Sequence, residues 1–341
     1  MIGSDKPSTR RTLYETPHPF PLLPCRFASC ENLAEQTHAA PASPDATCAA
    51  EIIVLGAGQD AGAPQIGNQD DPAWQDPALR QTASSIALID HTLPARYLFD
   101  AAPHITEQLQ MLDRLAPKPG NNLGLDGIFL THAHIGHYTG LMFFGREAAS
   151  TSGLPVYAMP RMADFLRENG PWSQLVALGN IDLTTLANSD TVTLSNYGPH
   201  VTPFRVPHRD EYSETVGFLI DTDEKTVAYL PDIDSWDGLE AETGQTLEDL
   251  VKHADIAFLD ASFFDDNELP GRDMSLIPHP RVTETMDRLQ ALPAEIRARV
   301  HFIHYNHTNP IRFTDTEETS RVEKAGFNIA RAGDRFCLSE P

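Results

Sequence analysis

Three histidines crowd into Thr131-His-Ala-His-Ile-Gly-His-Tyr138: His132, His134 and His137. Imidazole nitrogens are ligands for borderline divalent ions, so such a cluster is a candidate metal site. The run ahead of it, Gly127-Ile-Phe-Leu-Thr131, is apolar and rich in strand formers, and Tyr138-Thr-Gly-Leu-Met-Phe-Phe144 can begin a helix. A buried strand that stops at histidines puts them at a sheet edge, where a bound ion still meets solvent. In an extended segment, side chains two residues apart share a face, so His132 and His134 can grip one metal. His137 lies one turn further on and is left to face a neighbouring position. Three unrelated histidines in a polar loop are the plain alternative, and their density and spacing favour the metal.

The same pattern recurs along the chain. Apolar runs end on a ligand type at Phe204-Arg-Val-Pro before His208, Val227-Ala-Tyr-Leu-Pro before Asp232, and Phe302-Ile before His304. Two more end on acids, Tyr97-Leu-Phe before Asp100 and Ala257-Phe-Leu before Asp260. A single Asp at a strand end is usually a turn residue. Several such ends together fit a site assembled along one rim of a packed sheet. Nitrogen and carboxylate donors without cysteine suit Zn²⁺, with Mn²⁺ or Fe²⁺ as alternatives.

The elements that must position these residues follow from the apolar periodicity. Residues 1–49 are rich in Pro, Ser, Thr and Ala without helix or strand period and are expected to be a loosely packed tail ahead of one catalytic domain, 50–341. Arg10-Arg11 and Pro21-Leu-Leu make too short and broken an apolar stretch for an export leader. Glu51-Ile-Ile-Val-Leu55 opens the domain as a strand, running into the glycine-rich Gly56-Ala-Gly-Gln-Asp60 loop, which lacks the third glycine of a dinucleotide site. Ser84–Ile89 and Arg96–Phe99 read as a strand pair, and 104–115 as a helix. Residues 74–81 read as linker, and a helix is expected from the histidines to about Ala149. Strands over 191–194, 201–206, 215–220 and 226–230 are followed by alternating helix and strand to the end.

Composition narrows the partners. The 341 residues carry 25 Lys+Arg against 48 Asp+Glu, a net charge of −23, and so acidic a chain opposes nucleic acid and anionic membrane surfaces. No apolar run approaches the roughly 18 residues that span a bilayer. Cys25, Cys30, Cys48 and Cys337 form no C-x-x-C pair and demand no disulfide framework. A cytoplasmic protein with a small-molecule substrate is the expectation, with a homodimer as the assembly to test.

Residues 51–335 resemble the metallo-beta-lactamase superfamily, whose first motif is H-x-H-x-D-H followed by a later His, an Asp and a final His. Pro207-His-Arg-Asp-Glu-Tyr212 to Gly217, Pro231-Asp-Ile-Asp234 and His304-Tyr-Asn-His-Thr-Asn-Pro310 resemble its pyrroloquinoline-quinone biosynthesis protein B branch. The resemblance implies an α/β fold, the four-layer αββα sandwich. It implies that His132, His134 and His208 hold a first metal, that Asp232 bridges, and that His137 and His304 serve a second. Gly136 departs from the pattern, standing where the family has Asp, which leaves two outcomes open: a weak or empty second position, or compensation by His307. Asp260 sits where some relatives keep an acidic relay residue and is the candidate general acid. Arg209 is the candidate clamp for an anionic substrate, and His279, in the Pro270–Pro280 segment, reads as a surface histidine beside a lid-like loop.

One or two such ions would acidify bound water towards neutrality and polarise the group under attack. The leading expectation is a zinc-dependent hydrolase of a small ester, above all a phosphodiester. The rivals are a role in pyrroloquinoline-quinone assembly, a lactone or lactam hydrolase, and a metal-binding protein without turnover.

Overall fold

The structure is a computed structural model and describes residues 48–118, 123–194 and 198–340. Its central strands, such as Ala50–Gly56, Ser85–Asp90 and Ile256–Asp260, are buried along their whole length because both faces of each are covered. Strands towards the sheet edges, such as Ile181–Thr185 and His200–Arg205, are partly exposed. In β1 (Ala50–Gly56), Ile52 and Val54 join one buried cluster while Ile53 and Leu55 join another. β2 (Ser85–Asp90) repeats this with Ile86 and Leu88 against Ala87 and Ile89, and β3 (Ala95–Phe99) with Tyr97 and Phe99 against Leu98. The period of two divides each strand between two cores.

β4 (Gly127–Phe129), β5 (Leu154–Ala158) and β6 (Ile181–Thr185) follow, then β7 (Val192–Thr193), β8 (His200–Arg205), β9 (Val216–Asp221), β10 (Thr226–Leu230), β11 (Ile256–Asp260), β12 (Val300–Ile303), β13 (Asn328–Ile329) and β14 (Arg335–Ser339). They form two sheets of seven strands, ordered β14-β1-β2-β3-β4-β5-β6 and β13-β12-β11-β10-β9-β8-β7. Aromatic rings interlock where the sheets meet. Phe99 stacks on Phe129 at 5.1 Å, and Phe218 meets Phe129 edge-on at 5.6 Å. These rings precede Asp100 and His132 by a few residues, so the packed core fixes where the polar residues emerge.

Helices cover both outer faces. α1 (Ile105–Leu115), α2 (Ile135–Tyr138), α3 (Pro160–Glu168) and α4 (Trp172–Ala177) bury Leu112, Tyr138, Leu166 and Trp172 against the first sheet. From α5 (Trp236–Thr243), α6 (Leu247–His253), α7 (Val282–Leu289) and α9 (Glu317–Lys324), Trp236, Leu250, Val282 and Val322 join the core of the second; α8 (Ala294–Arg297) is a single short turn. The four-layer αββα sandwich is therefore the architecture observed.

Three local readings change. The helix expected to reach Ala149 is only α2 followed by a 3₁₀ turn, Thr139–Phe144. Gly140 donates to the Ala101 carbonyl at 2.9 Å and lies so close to that chain that a Cβ would meet Ala102 O at 2.1 Å, which bends the segment away from a regular helix. The expected linker 74–81 holds a 3₁₀ turn, Pro77–Leu79, just after another, Pro72–Trp74; Asp71 and Asp76 cap them. Third, Cys48 and Cys337 form a disulfide across a separation of 289 residues, a bond that the cysteine count did not require. Antiparallel pairing of β1 with β14 sets Glu51 opposite Cys337 and carries Cys48 to its partner. Ala49 also donates to Ser339 O at 2.8 Å, so these two residues belong to the folded unit. The rest of the expected tail, residues 1–47, lies outside the described residues. Among the described residues, no helix is long and apolar enough to cross a membrane.

Candidate metal centre

Ligand atoms from four separate strand ends converge. His132 Nε2 lies 2.9 Å from His134 Nδ1, and His208 Nε2 lies 3.1 Å from the same atom. Asp232 Oδ2 stands 3.2 Å from both His132 Nε2 and His208 Nε2. Donors around a tetrahedral zinc at about 2.0–2.1 Å sit roughly 3.3 Å apart, so these four atoms fit one ion with little movement. A second set shares Asp232: His137 Nε2 is 3.2 Å from His304 Nε2, with Asp232 Oδ2 at 3.9 and 3.8 Å from the two. His132, His137, His208, Asp232 and His304 are all buried. Asp232 Oδ1 is buried without a hydrogen-bond partner, a cost that a cation beside this carboxylate would offset. The donor set therefore fits a divalent metal, with zinc a natural occupant.

The outer ring of each imidazole is fixed. His137 Nδ1 meets Asp100 at 2.8 Å, His208 Nδ1 meets Asp234 at 2.8 Å, His132 Nδ1 meets Thr131 Oγ1 at 3.0 Å and His304 Nδ1 meets Ser262 Oγ at 3.1 Å. Each partner holds the ring so that Nε2 points inwards. His134 is reversed, presenting Nδ1 while Nε2 meets Glu211 at 3.2 Å. Burial and the neighbouring His137 push His132 well below the ordinary histidine range, and burial lowers His304 against the pull of Asp232. Burial works against protonating His208 too, but Asp232 and Asp234 carry it up to about 10. Burial would raise Asp232, yet His208, His304 and His279 hold it well below the usual carboxylate range, so its oxygens stay anionic. Asp100 and His304 are also left-handed, at φ 68° and 65°. Such strain in non-glycine residues gathers at functional sites.

His279 was not legible as a site residue. It is buried, its Nδ1 donates to Asp260 Oδ2 at 2.9 Å and lies 3.3 Å from Asp232 Oδ1. Asp260 differs from its expected part. It is fully buried, and its oxygens already take the Ile233 and Ser262 amides at 3.0 and 2.8 Å besides His279. Asp260 therefore has no surface of its own on the neighbouring cleft, whereas its partner His279 lines it. His307 stands outside the converging sets, its Nδ1 being 3.1 Å from Asn68 Nδ2. Arg209 is exposed and 3.6 Å from Glu211. Together with Asp60, Arg272, Ile277, His279 and His307 it lines this cleft of about 600 Å³, which adjoins the centre through His279.

A sequence profile described as the Beta-lactamase superfamily domain matches residues 95–305. Coenzyme PQQ synthesis protein B of Xanthomonas campestris pv. campestris (strain B100) is 28% identical over 313 residues, covering 84% of this chain and 99% of its own. Among solved structures, Zn(2+)-bound PqqB from Methylobacterium extorquens superposes with a TM-score of 0.69 at 22% identity, covering 84% of this chain and 99% of that one. A diphosphatase from the PhnP family gives 0.59 at 21% identity, covering 84% and 96%. At these identities the two structures speak for the fold alone.

Proposed function

The chain belongs to the beta-lactamase superfamily, and from that premise we propose that it is a metal-dependent hydrolase of a small anionic ester, with a phosphodiester as the leading substrate class. The observation that carries this reading is the convergence of His132, His134, His208 and Asp232 beside the His279–Asp260 pair, whose His279 also lines the neighbouring cleft. A bound divalent ion supplies a Lewis acid and an acidified water there. The chain's own residues do the rest.

Asp232 presents one oxygen to both ligand sets, and Asp100 and Asp234 hold the outer Nδ1 of His137 and His208, which turns the Nε2 atoms of both rings inwards. Burial disfavours a charged His279, but Asp260 and Asp232 outweigh it and raise its affinity for a proton. His279 therefore serves as proton donor to the leaving-group oxygen, and Asp260 is its positioning residue. Arg209 and Arg272 on the cleft wall offset the substrate's charge in an otherwise acidic protein.

The test compares two diesters that differ in leaving group. With His279→Gln, hydrolysis of a diester with a poor alkoxide leaving group is expected to fall on the order of a hundredfold or more. A p-nitrophenolate leaving group, which needs little protonation, is expected to suffer far less. An equal loss on both substrates, with metal content intact, would contradict the role given to His279. A second reading, a part in coenzyme PQQ synthesis, is favoured by relatives matched over 99% of their length. Metal binding without turnover of any phosphodiester, lactone or lactam would favour it over the first.

A further inference from the structure

The second ligand set has two imidazoles and a shared Asp232 but no carboxylate of its own. Position 136, between His134 and His137, is glycine, and the space beside it is filled by main chain. A Cβ built there would lie 2.8 Å from Asp60 Cα, 3.0 Å from Asp60 O and 3.1 Å from Asp60 N. We propose that Asp60 supplies the second metal position with the carboxylate that residue 136 lacks. The inference rests on the metal-centre reading above and adds a ligand to it.

Two independent anchors put Asp60 there. On one side its backbone touches residue 136, next to His137. On the other, Gln59 N donates to Tyr305 O at 3.0 Å and Tyr305 N donates to Ala57 O at 3.0 Å, which ties the loop to the neighbour of His304. Asp60 is thus held between the two imidazoles of the second set, and its charge is felt at both rings, where it favours a positive charge. The turn closes with Gly62 N on Gln59 O at 2.8 Å and leaves Asp60 left-handed at φ 44°. Few residues other than glycine adopt that conformation, and Asp and Asn are among those that do. Among the described residues the Asp60 carboxylate has no hydrogen bond or ion pair, and the residue lines the cleft. Its oxygens stand outside the converging ligand atoms, so ligation requires the side chain to turn inwards about χ1 and χ2.

This placement accounts for the glycine. A carboxylate on residue 136 and the residue 60 backbone cannot occupy the same volume, so the loop displaces one acid and brings another. Two imidazoles, a bridging Asp232 and a terminal Asp60 form a four-donor set of ordinary composition for a divalent ion.

The experiment is a Zn²⁺ titration of the metal-stripped full chain by calorimetry, with bound metal counted after desalting. Wild type should take two equivalents. Asp60→Asn and Asp60→Gly should each take one, or bind the second at least tenfold more weakly. Both substitutes accept φ 44°, so the loop is preserved, and unchanged melting of the metal-free variants checks that. Gly136→Asp in the Asp60→Gly background should not restore the lost equivalent, because its Cβ meets the residue 60 backbone. A wild type that takes one equivalent, or an Asp60→Asn that keeps both with unchanged affinity, overturns the proposal. Neither result touches the hydrolase reading, which fails instead if metal-stripped wild type still turns over.

Discussion

Replacing Asp100 with Asn tests whether the second metal position is built by the shell behind it. Asp100 Oδ1 accepts from Thr131 N at 2.8 Å and Thr131 Oγ1 at 2.9 Å, while Oδ2 faces His137 Nδ1 at 2.8 Å and the Tyr229 hydroxyl at 3.2 Å. The residue is fully buried and left-handed at φ 68°, which Asn tolerates. An amide has one nitrogen to place, and both placements are poor. At the Oδ1 position it confronts the Thr131 N–H, two donors with no acceptor, costing about 1–3 kcal/mol. At the Oδ2 position it donates to His137 Nδ1 and forces the ring proton onto Nε2, the atom that must ligate. Either way the imidazole loses its carboxylate partner, an outer-ring change that weakens metal binding roughly 10–100-fold. Titration of Zn²⁺ into the metal-stripped Asp100→Asn chain should show the second equivalent weakened by that factor. The equivalent held by His132, His134 and His208 should be close to wild type. Denaturant melts of the metal-free protein should show a loss of about 1–3 kcal/mol. Two equivalents at wild-type affinity would refute the argument.

Two further outcomes follow from features away from the metal. Cys48→Ser opens a bond spanning 289 residues and is expected to lower stability by about 2–5 kcal/mol, read as a non-reducing melt that falls to the reduced wild-type value; an unchanged melt would show that the bond does not form. Burial pushes Glu268, which accepts from Thr308 Oγ1 and Phe264 N, up to about 7. The folded state then holds a proton that the unfolded chain releases near the ordinary Glu value. Its contribution is present at low pH and lost as pH rises through about 7, on the order of 3 kcal/mol in total. Glu268→Gln should remove that decline when denaturant midpoints are compared at pH 5 and pH 8, and an identical slope in both proteins would contradict it.

How much of this was legible in the sequence depends on whether a residue's role is set by its own strand or by another segment. His132, Asp232 and His304 each follow a short apolar run that forms a largely buried strand, and His208 follows the half-exposed β8. Their convergence follows once the sheets are stacked. Asp100 was visible as a strand-end acid, though its grip on His137 was not. His279 carries no local signal, because it lies in irregular chain between prolines and is buried by other segments that bring Asp260, Asp232, His208 and Phe263 against it. Asp60 sits in a turn whose course is set by Tyr305, some 240 residues away. The Cys48–Cys337 bond depends on β1 pairing with β14, the two ends of the described fold. α4, β6 and α5 escaped because they are short, at 6, 5 and 8 residues, and take their shape from the layers they cover.

The central claim is that His132, His134, His208 and Asp232 hold the ion on which turnover depends. It is tested most directly by restoring Zn²⁺ stepwise to the metal-stripped chain while following bis(p-nitrophenyl) phosphate hydrolysis, alongside His134→Ala. Wild-type rate should rise from background in step with bound metal and level off at stoichiometry, whereas His134→Ala should bind at least one equivalent fewer and stay at background. A His134→Ala chain that binds and turns over like wild type, or a wild type that fills with metal and hydrolyses no ester offered, would contradict the account.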